Sequence, residues 1–170
     1  MLYDLTVVQF SKMLGNLSAI LTRGEAFAQA KKIDVGVLLN SRLAADQFGL
    51  IRQVQIATDT AKLGVARLTG KVAEAPKHED NETTLPQLLA RIASVLEYLS
   101  GFTPEEFAQA ETQKVSQPRW EGKYLTGREF AIEHAIPNFY FHVTTAYAIL
   151  RHNGVELGKK DYLGTLPFKS

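Results

Sequence analysis

The chain has 170 residues, 45% hydrophobic and 22% charged, proportions that fit an ordinary soluble globular protein built on one compact core. Nineteen basic and eighteen acidic residues leave a net charge of +1 with no block of like charge, so no nucleic acid and no membrane surface is expected as a partner. The absence of cysteine excludes a disulfide scaffold, a thiolate metal site and a cysteine nucleophile.

The opening MLYDLTVVQF places Asp4 where a secretory leader would carry a basic segment, so no signal peptide is expected and a cytoplasmic location is the default. Phe10, Met13, Leu14, Leu17 and Leu21 then recur every three or four residues and predict a helix over roughly Asp4 to Lys31. Asp34 is placed to cap a short helical turn through Leu39, ending at Asn40-Ser41. A second long helix carries Leu50, Val54, Ala57, Ala61, Val65 and Leu68 on one stripe and stops at Gly70. Lys71 to Glu82 has Pro76, several charges and no periodicity, and reads as a surface connection with His78 solvated.

The third helix has the clearest seam, Leu85, Leu88, Leu89, Ile92, Val95, Leu96 and Leu99. Thr103-Pro-Glu-Glu106 is a capping box with proline at the first helical position and opens a short helix. From Gln113 to Leu125 turn formers dominate, with Glu121-Gly122-Lys123 as a hairpin tip and Trp120 and Tyr124 either packing the hairpin on the bundle or lining a pocket mouth. Thr126-Gly-Arg-Glu129 is a second capping box, starting a last long helix that ends at Asn153-Gly154. The remaining tail reads as irregular. Four long helices with a short β-hairpin excursion before the last predict an all-α four-helix bundle forming a single domain over residues 1–170.

The last helix holds the most informative pattern. From Ala135 to Leu150 it carries no formal charge, yet it includes Pro137, Asn138 and His142 and is too short to span a bilayer, which takes about 20 apolar residues. At about 100° per residue His134, Asn138, His142, Thr145 and Ile149 share one narrow face. Ile132, Ile136, Phe139, Tyr140, Val143, Tyr147 and Leu150 form a separate apolar stripe. Lack of charge on both faces predicts burial of both, with the His/Asn face turned toward a pocket or an interface. The second helix is placed to contribute Gln53, Gln55 or Asp59 to that face.

A metal bridging His134 and His142 is disfavoured, because residues eight apart on a helix stand about 12 Å apart along its axis. Any metal would use His142 with groups from other helices, and Asn138 is a poor ligand in the intervening position. A histidine on a buried helical face is as readily a satisfied core residue as a functional one; both roles stay open for His142, and the structural role is favoured for His134. Asn138 is placed either to partner a histidine or to bond a carbonyl freed by Pro137. His152, at the helix end, complements the helix dipole. No phosphate-binding glycine loop and no serine triad is present.

HAIPNFYFHVTTAYAILRHNG, together with LAADQFGLIRQVQIATDTAK and the opening LYDLTVVQFSKMLGNLSAIL, resembles an uncharacterised bacterial domain family of the DinB/YfiT-like superfamily of four-helix bundles, over essentially residues 1–164. The resemblance implies frequent homodimers and a metal held by three histidines, one from the second helix and two from an H-x3-H on the last. Some members are metal-dependent thiol S-transferases or isomerases. By that resemblance His142 matches the second histidine of the H-x3-H, Asn138 stands in place of the first, and Gln53 or Gln55 is the nearest stand-in on a second helix without histidine. Two ligands replaced by amides favour a metal-free, cofactor-free bundle that binds a small molecule or partner around His134, Asn138, His142, Thr145 and Gln53. The alternative is a transferase or isomerase of the superfamily type with a remodelled site. A homodimer is expected in either case.

Overall fold

The computed structural model describes residues 1–169. A wide π-type turn over Asp4–Val8 runs directly into α1 (Gln9–Lys31), which stops where Lys32 turns left-handed. α2 (Val35–Asn40) starts from Asp34, whose carboxylate accepts a hydrogen bond from the Gly36 amide at 2.8 Å. Then come α3 (Leu50–Leu68) and α4 (Leu85–Ser100), the latter capped by Thr84 with Gln87. The excursion is a minimal antiparallel pair, β1 (Lys114–Val115) and β2 (Leu125–Thr126), with Lys114 opposite Thr126 and Val115 opposite Leu125. Its tip uses positive φ at Glu121 (52°) and Gly122 (83°), the conformation that a tight reversal requires.

Thr126 accepts from the Glu129 amide while the Glu129 carboxylate accepts from the Thr126 amide, and this capping box opens α5 (Gly127–Phe130). A π-turn over Ala131–Ala135 joins α5 to α6 (Ile136–His152). Pro137 has no amide hydrogen for the Glu133 carbonyl and its ring would crowd that group, so the wider turn ahead of it relieves both problems. Close packing fixes the start of this segment. A Cβ on Gly127 would fall 1.7 Å from the Ala110 carbonyl oxygen, so only glycine fits.

Around the bundle the long helices neighbour one another in the order α1, α4, α3, α6 and back to α1. Helices α1 and α3, consecutive in the chain, are therefore diagonal, as are α4 and α6. Those diagonal steps use the connections that carry α2 and the hairpin excursion, which have the length to cross an end of the bundle. Helices α3 and α6 pack most extensively. The core is sealed by residues such as Phe10 and Phe139, with ring centroids 4.3 Å apart, and by fully buried Leu14, Leu17, Leu88 and Val95.

The structure corrects three expectations. The tail is not irregular throughout: α7 (Lys159–Leu163) begins where Asp161 accepts from the Gly158 amide at 2.7 Å, and it docks on α1 through Asn16, which donates to the Tyr162 carbonyl at 2.9 Å, and an Arg23–Asp161 ion pair. The 71–82 connection is drawn onto the bundle rather than solvated throughout. Its Asp80 and Glu82 pair with Arg91, and half-buried His78 lies 2.6 Å from the Lys62 ammonium. Nor is α6 buried all round. Pro137, Phe141 and Thr144 form an exposed uncharged strip beside the histidine face, and Ile132, expected on the buried stripe, is exposed as well.

The opposite side of α6 is core, and Val143 there is 1% exposed. Val143→Asp should unfold the protein or destabilise it by several kcal/mol, because an unpaired carboxylate would be buried. Thermal denaturation checks this, and an unchanged melting temperature would contradict the placement of α6 at the centre.

Candidate functional site

On α3, Gln53, Ile56, Thr60, Leu63 and Arg67 recur at three- and four-residue spacing, on the flank away from the Leu50–Leu68 apolar seam. This flank meets the His134–Asn138–His142 face of α6. The two do not close on each other. They leave a cavity of about 500 Å³, walled by Ile56, Asp59, Thr60, Leu63 and Arg67 of α3, by His134 of the π-turn and by Asn138 and His142 of α6. Gln117, Pro118 and Arg119 from the excursion, with Phe48 and Phe130, complete the lining. Phe48 is 57% exposed and Arg119 is exposed, so the cavity has an open rim.

His142 is its polar centre. The side-chain amide of Gln53 donates through Nε2 to the Phe48 carbonyl at 3.0 Å, which turns Oε1 toward the His142 Nδ1 at 2.7 Å. The imidazole must then donate from Nδ1, and the neutral ring keeps a bare Nε2 with no protein partner among the described residues. Burial, with Arg52 nearby as a second cause, pushes the His142 pKa down to about 4, so the ring is neutral at physiological pH. One turn earlier Asn138 donates from Nδ2 to the Thr60 hydroxyl at 2.8 Å. Two polar cross-links thus tie α3 to α6 along the cavity wall.

His134 occupies the other end. Its Nε2 accepts from the Arg119 guanidinium at 2.8 Å, its ring stacks on Phe130 with centroids 5.5 Å apart, and Trp120 meets it edge-on. Burial first, and then Arg119 and Arg67, hold its pKa below the ordinary histidine value. Trp120 therefore packs the excursion onto the bundle, whereas Tyr124 is 53% exposed.

Of the residues expected at the site, His134, Asn138 and His142 line one cavity and Gln53 orients His142 from behind. Thr145 does not join them; its hydroxyl donates to the Phe141 carbonyl at 2.7 Å, within its own helix. Asn138 is not the partner of His142, a position filled by Gln53. Gln55 turns away to Glu82 and Arg52. Asp59 lines the cavity but is held by Lys62 at 2.8 Å and Arg91 at 2.7 Å. Sequence reasoning passed over Thr60, Arg67 and Arg119. The seven-residue recurrence of Gln53, Thr60 and Arg67, two helical turns apart each time, was the available sign for two of them.

The sequence matches a Domain of unknown function (DUF1993) over residues 2–163. The chain belongs to the DUF1993 family. It is also similar to a DinB family member protein from Shewanella denitrificans whose crystal structure is known: 74% identity, all of this chain and 96% of that one covered, TM-score 0.97. No curated protein matches it significantly. This DUF1993 chain is therefore a DinB-like all-α bundle with a short hairpin, as its sequence predicts.

The three-histidine metal site implied by the superfamily resemblance does not fit the residues of this DUF1993 protein. Of the three positions only His142 offers an imidazole; Asn138 is bonded to Thr60, and Gln53 is bonded to His142 itself. Among the described residues no three His, Asp or Glu side chains gather where one ion would be held. Amides are weak donors to transition metals, so the arrangement is one of hydrogen-bonding groups rather than of metal ligands. Among the described residues no helix is long and apolar enough to cross a membrane.

Proposed function

We propose that this protein binds a small molecule in the cavity between α3 and α6, with His142 as the orienting group and without a resident metal. The observation that carries the reading is an open-rimmed cavity of about 500 Å³ with a neutral histidine held in one tautomer by Gln53. That volume is in the range of small-molecule sites, which combine apolar walls with a few fixed polar groups. Ile56, Leu63, Phe48 and Phe130 supply the walls, and His142 and Asn138 supply the polar groups. The bare His142 Nε2 accepts a hydrogen bond from a ligand, and the Asn138 Oδ1 is a second acceptor beside it.

Truncation distinguishes a binding cavity from a sealed core. In an open cavity water serves the Gln53 amide after His142→Ala, so the variant should lose less than about 1 kcal/mol in denaturant unfolding. A loss of about 2–4 kcal/mol would mean a closed, packed core and would contradict the reading. Elemental analysis of the protein purified without a histidine tag should show no stoichiometric transition metal. About one zinc, nickel or iron per chain, absent from His142→Ala, would instead support the metal-dependent transferase or isomerase alternative.

The exposed strip of α6 supports a homodimer as part of the same proposal. Phe141 is 55% exposed between Pro137 and Thr144, and a two-fold contact is the commonest way to cover such a face. Light scattering at micromolar concentration should give a dimer mass, and Phe141→Glu should shift it toward the monomer. A wild-type monomer throughout would reject the dimer.

A further inference from the structure

Arg67 and Arg119 line the same cavity, and neither has a carboxylate within ion-pair distance among the described residues. Arg67 sits half-buried on α3 and makes no side-chain hydrogen bond among the described residues; burial, and then the like charge of Arg119, push its pKa below the ordinary value. Such an arrangement is costly unless something compensates it. Asp59, the one carboxylate in the lining, offsets this only in part: its charge favours the Arg67 cation, but it forms no ion pair with Arg67 and is held by Lys62 and Arg91.

A second, independent sign lies in the unpartnered donors. Four buried side-chain polar atoms among the described residues lack a hydrogen-bond partner, and two of them, Gln117 Nε2 and His134 Nδ1, belong to residues lining this cavity. Both are N–H donors. For His134 this follows from chemistry: the Arg119 guanidinium has hydrogens only to give, so Nε2 accepts and Nδ1 carries the proton. Buried donors are normally satisfied, and exceptions mark missing partners. Two guanidinium groups without a carboxylate partner, of which Arg119 spends one N–H on His134, and two N–H donors without an acceptor thus belong to residues lining one cavity.

Resting on the small-molecule reading above, we infer that the ligand carries an anionic group, a carboxylate or a phosphate, bound between Arg67 and Arg119 with Gln117 and His134 as supporting donors. The apolar walls of Ile56, Leu63 and Phe48 take its non-polar body, and His142 accepts from a hydroxyl or amide at the far end. Guanidinium groups suit this task because their paired N–H bonds match the oxygens of either anion.

The test uses three probes of matched shape on the full chain, followed by NMR of the arginine and histidine side chains: benzoate, phenyl phosphate and neutral benzamide. Benzoate or phenyl phosphate, or both, should shift the Arg67 and Arg119 signals saturably and bind about tenfold or more tighter than benzamide. Which of the two anions binds more tightly identifies the anionic group. Arg67→Gln and Arg119→Gln should each weaken anion binding by about tenfold while leaving benzamide unaffected. Arg67→Gln should also melt at the same temperature as the wild type or higher, because it removes a half-buried charge that no ion pair compensates. Equal binding of charged and neutral probes, unaffected by the arginine substitutions, would overturn the anion inference and leave the cavity reading intact. No saturable shift by any probe up to about 10 mM would overturn both.

Discussion

The hydrogen bond between Gln53 and His142 is the contact on which the site depends. Helices α3 and α6 share the most extensive interface of the bundle, and a buried imidazole within it is tolerable only if it stays neutral and bonded. Gln53 meets both conditions because its own amide is held by the Phe48 carbonyl and presents only an oxygen. The pKa of about 4, against an unfolded value near 6.5, also couples the site to stability. Between those values the unfolded chain binds the proton and the folded one does not. Stability from this group is therefore complete above about pH 6.5 and falls as the pH drops toward 4, by at most about 3 kcal/mol.

A second constraint sets the charge of the cavity. Arg91 on α4 has a side chain 1% exposed and is paired with Asp59, Asp80 and Glu82, with Thr58 accepting from its Nε at 2.8 Å. Breaking such a buried cluster by removing one member costs several kcal/mol, because the remaining charges lose their partners. The cluster pins the 71–84 connection to the bundle. It also draws Asp59 toward α4, so the negative charge nearest the cavity is neutralised from behind. Were Arg91 absent, more of the Asp59 charge would act on Arg67. Through Asp59 the α4 cluster and the cavity are electrostatically linked, although they occupy opposite sides of α3.

The fold was legible because its elements announce themselves locally. Thr126 and Glu129 form the capping box their spacing predicts, and the α4 seam is buried at Leu85, Leu88, Ile92, Val95 and Leu99, with Leu89 and Leu96 half-buried at its edge. The His134–Asn138–His142 face was legible for the same reason, since four-residue spacing survives the π-turn before Pro137 and all three residues reach one cavity. Thr145 shared that face on paper but not in space, because a threonine hydroxyl can reach the carbonyl four residues back and thereby leave the site. Arg67 and Arg119 were not legible. The first depends on the register of α3 against α6, and the second lies in an irregular excursion whose position no periodicity encodes. Lack of charge on α6 predicts burial, yet it also describes the exposed Pro137–Phe141–Thr144 strip. An exposed uncharged surface and a buried one look alike in one dimension.

The central claim is that His142 is a neutral, oriented acceptor facing an open cavity. Long-range proton–nitrogen NMR of the imidazole across a pH titration tests it most directly. The account predicts the Nδ1–H tautomer with a bare Nε2, a ring that remains neutral down to about pH 5, and loss of the single tautomer in Gln53→Leu. A ring protonating near its ordinary value of about 6.5, or one carrying its hydrogen on Nε2, would contradict it.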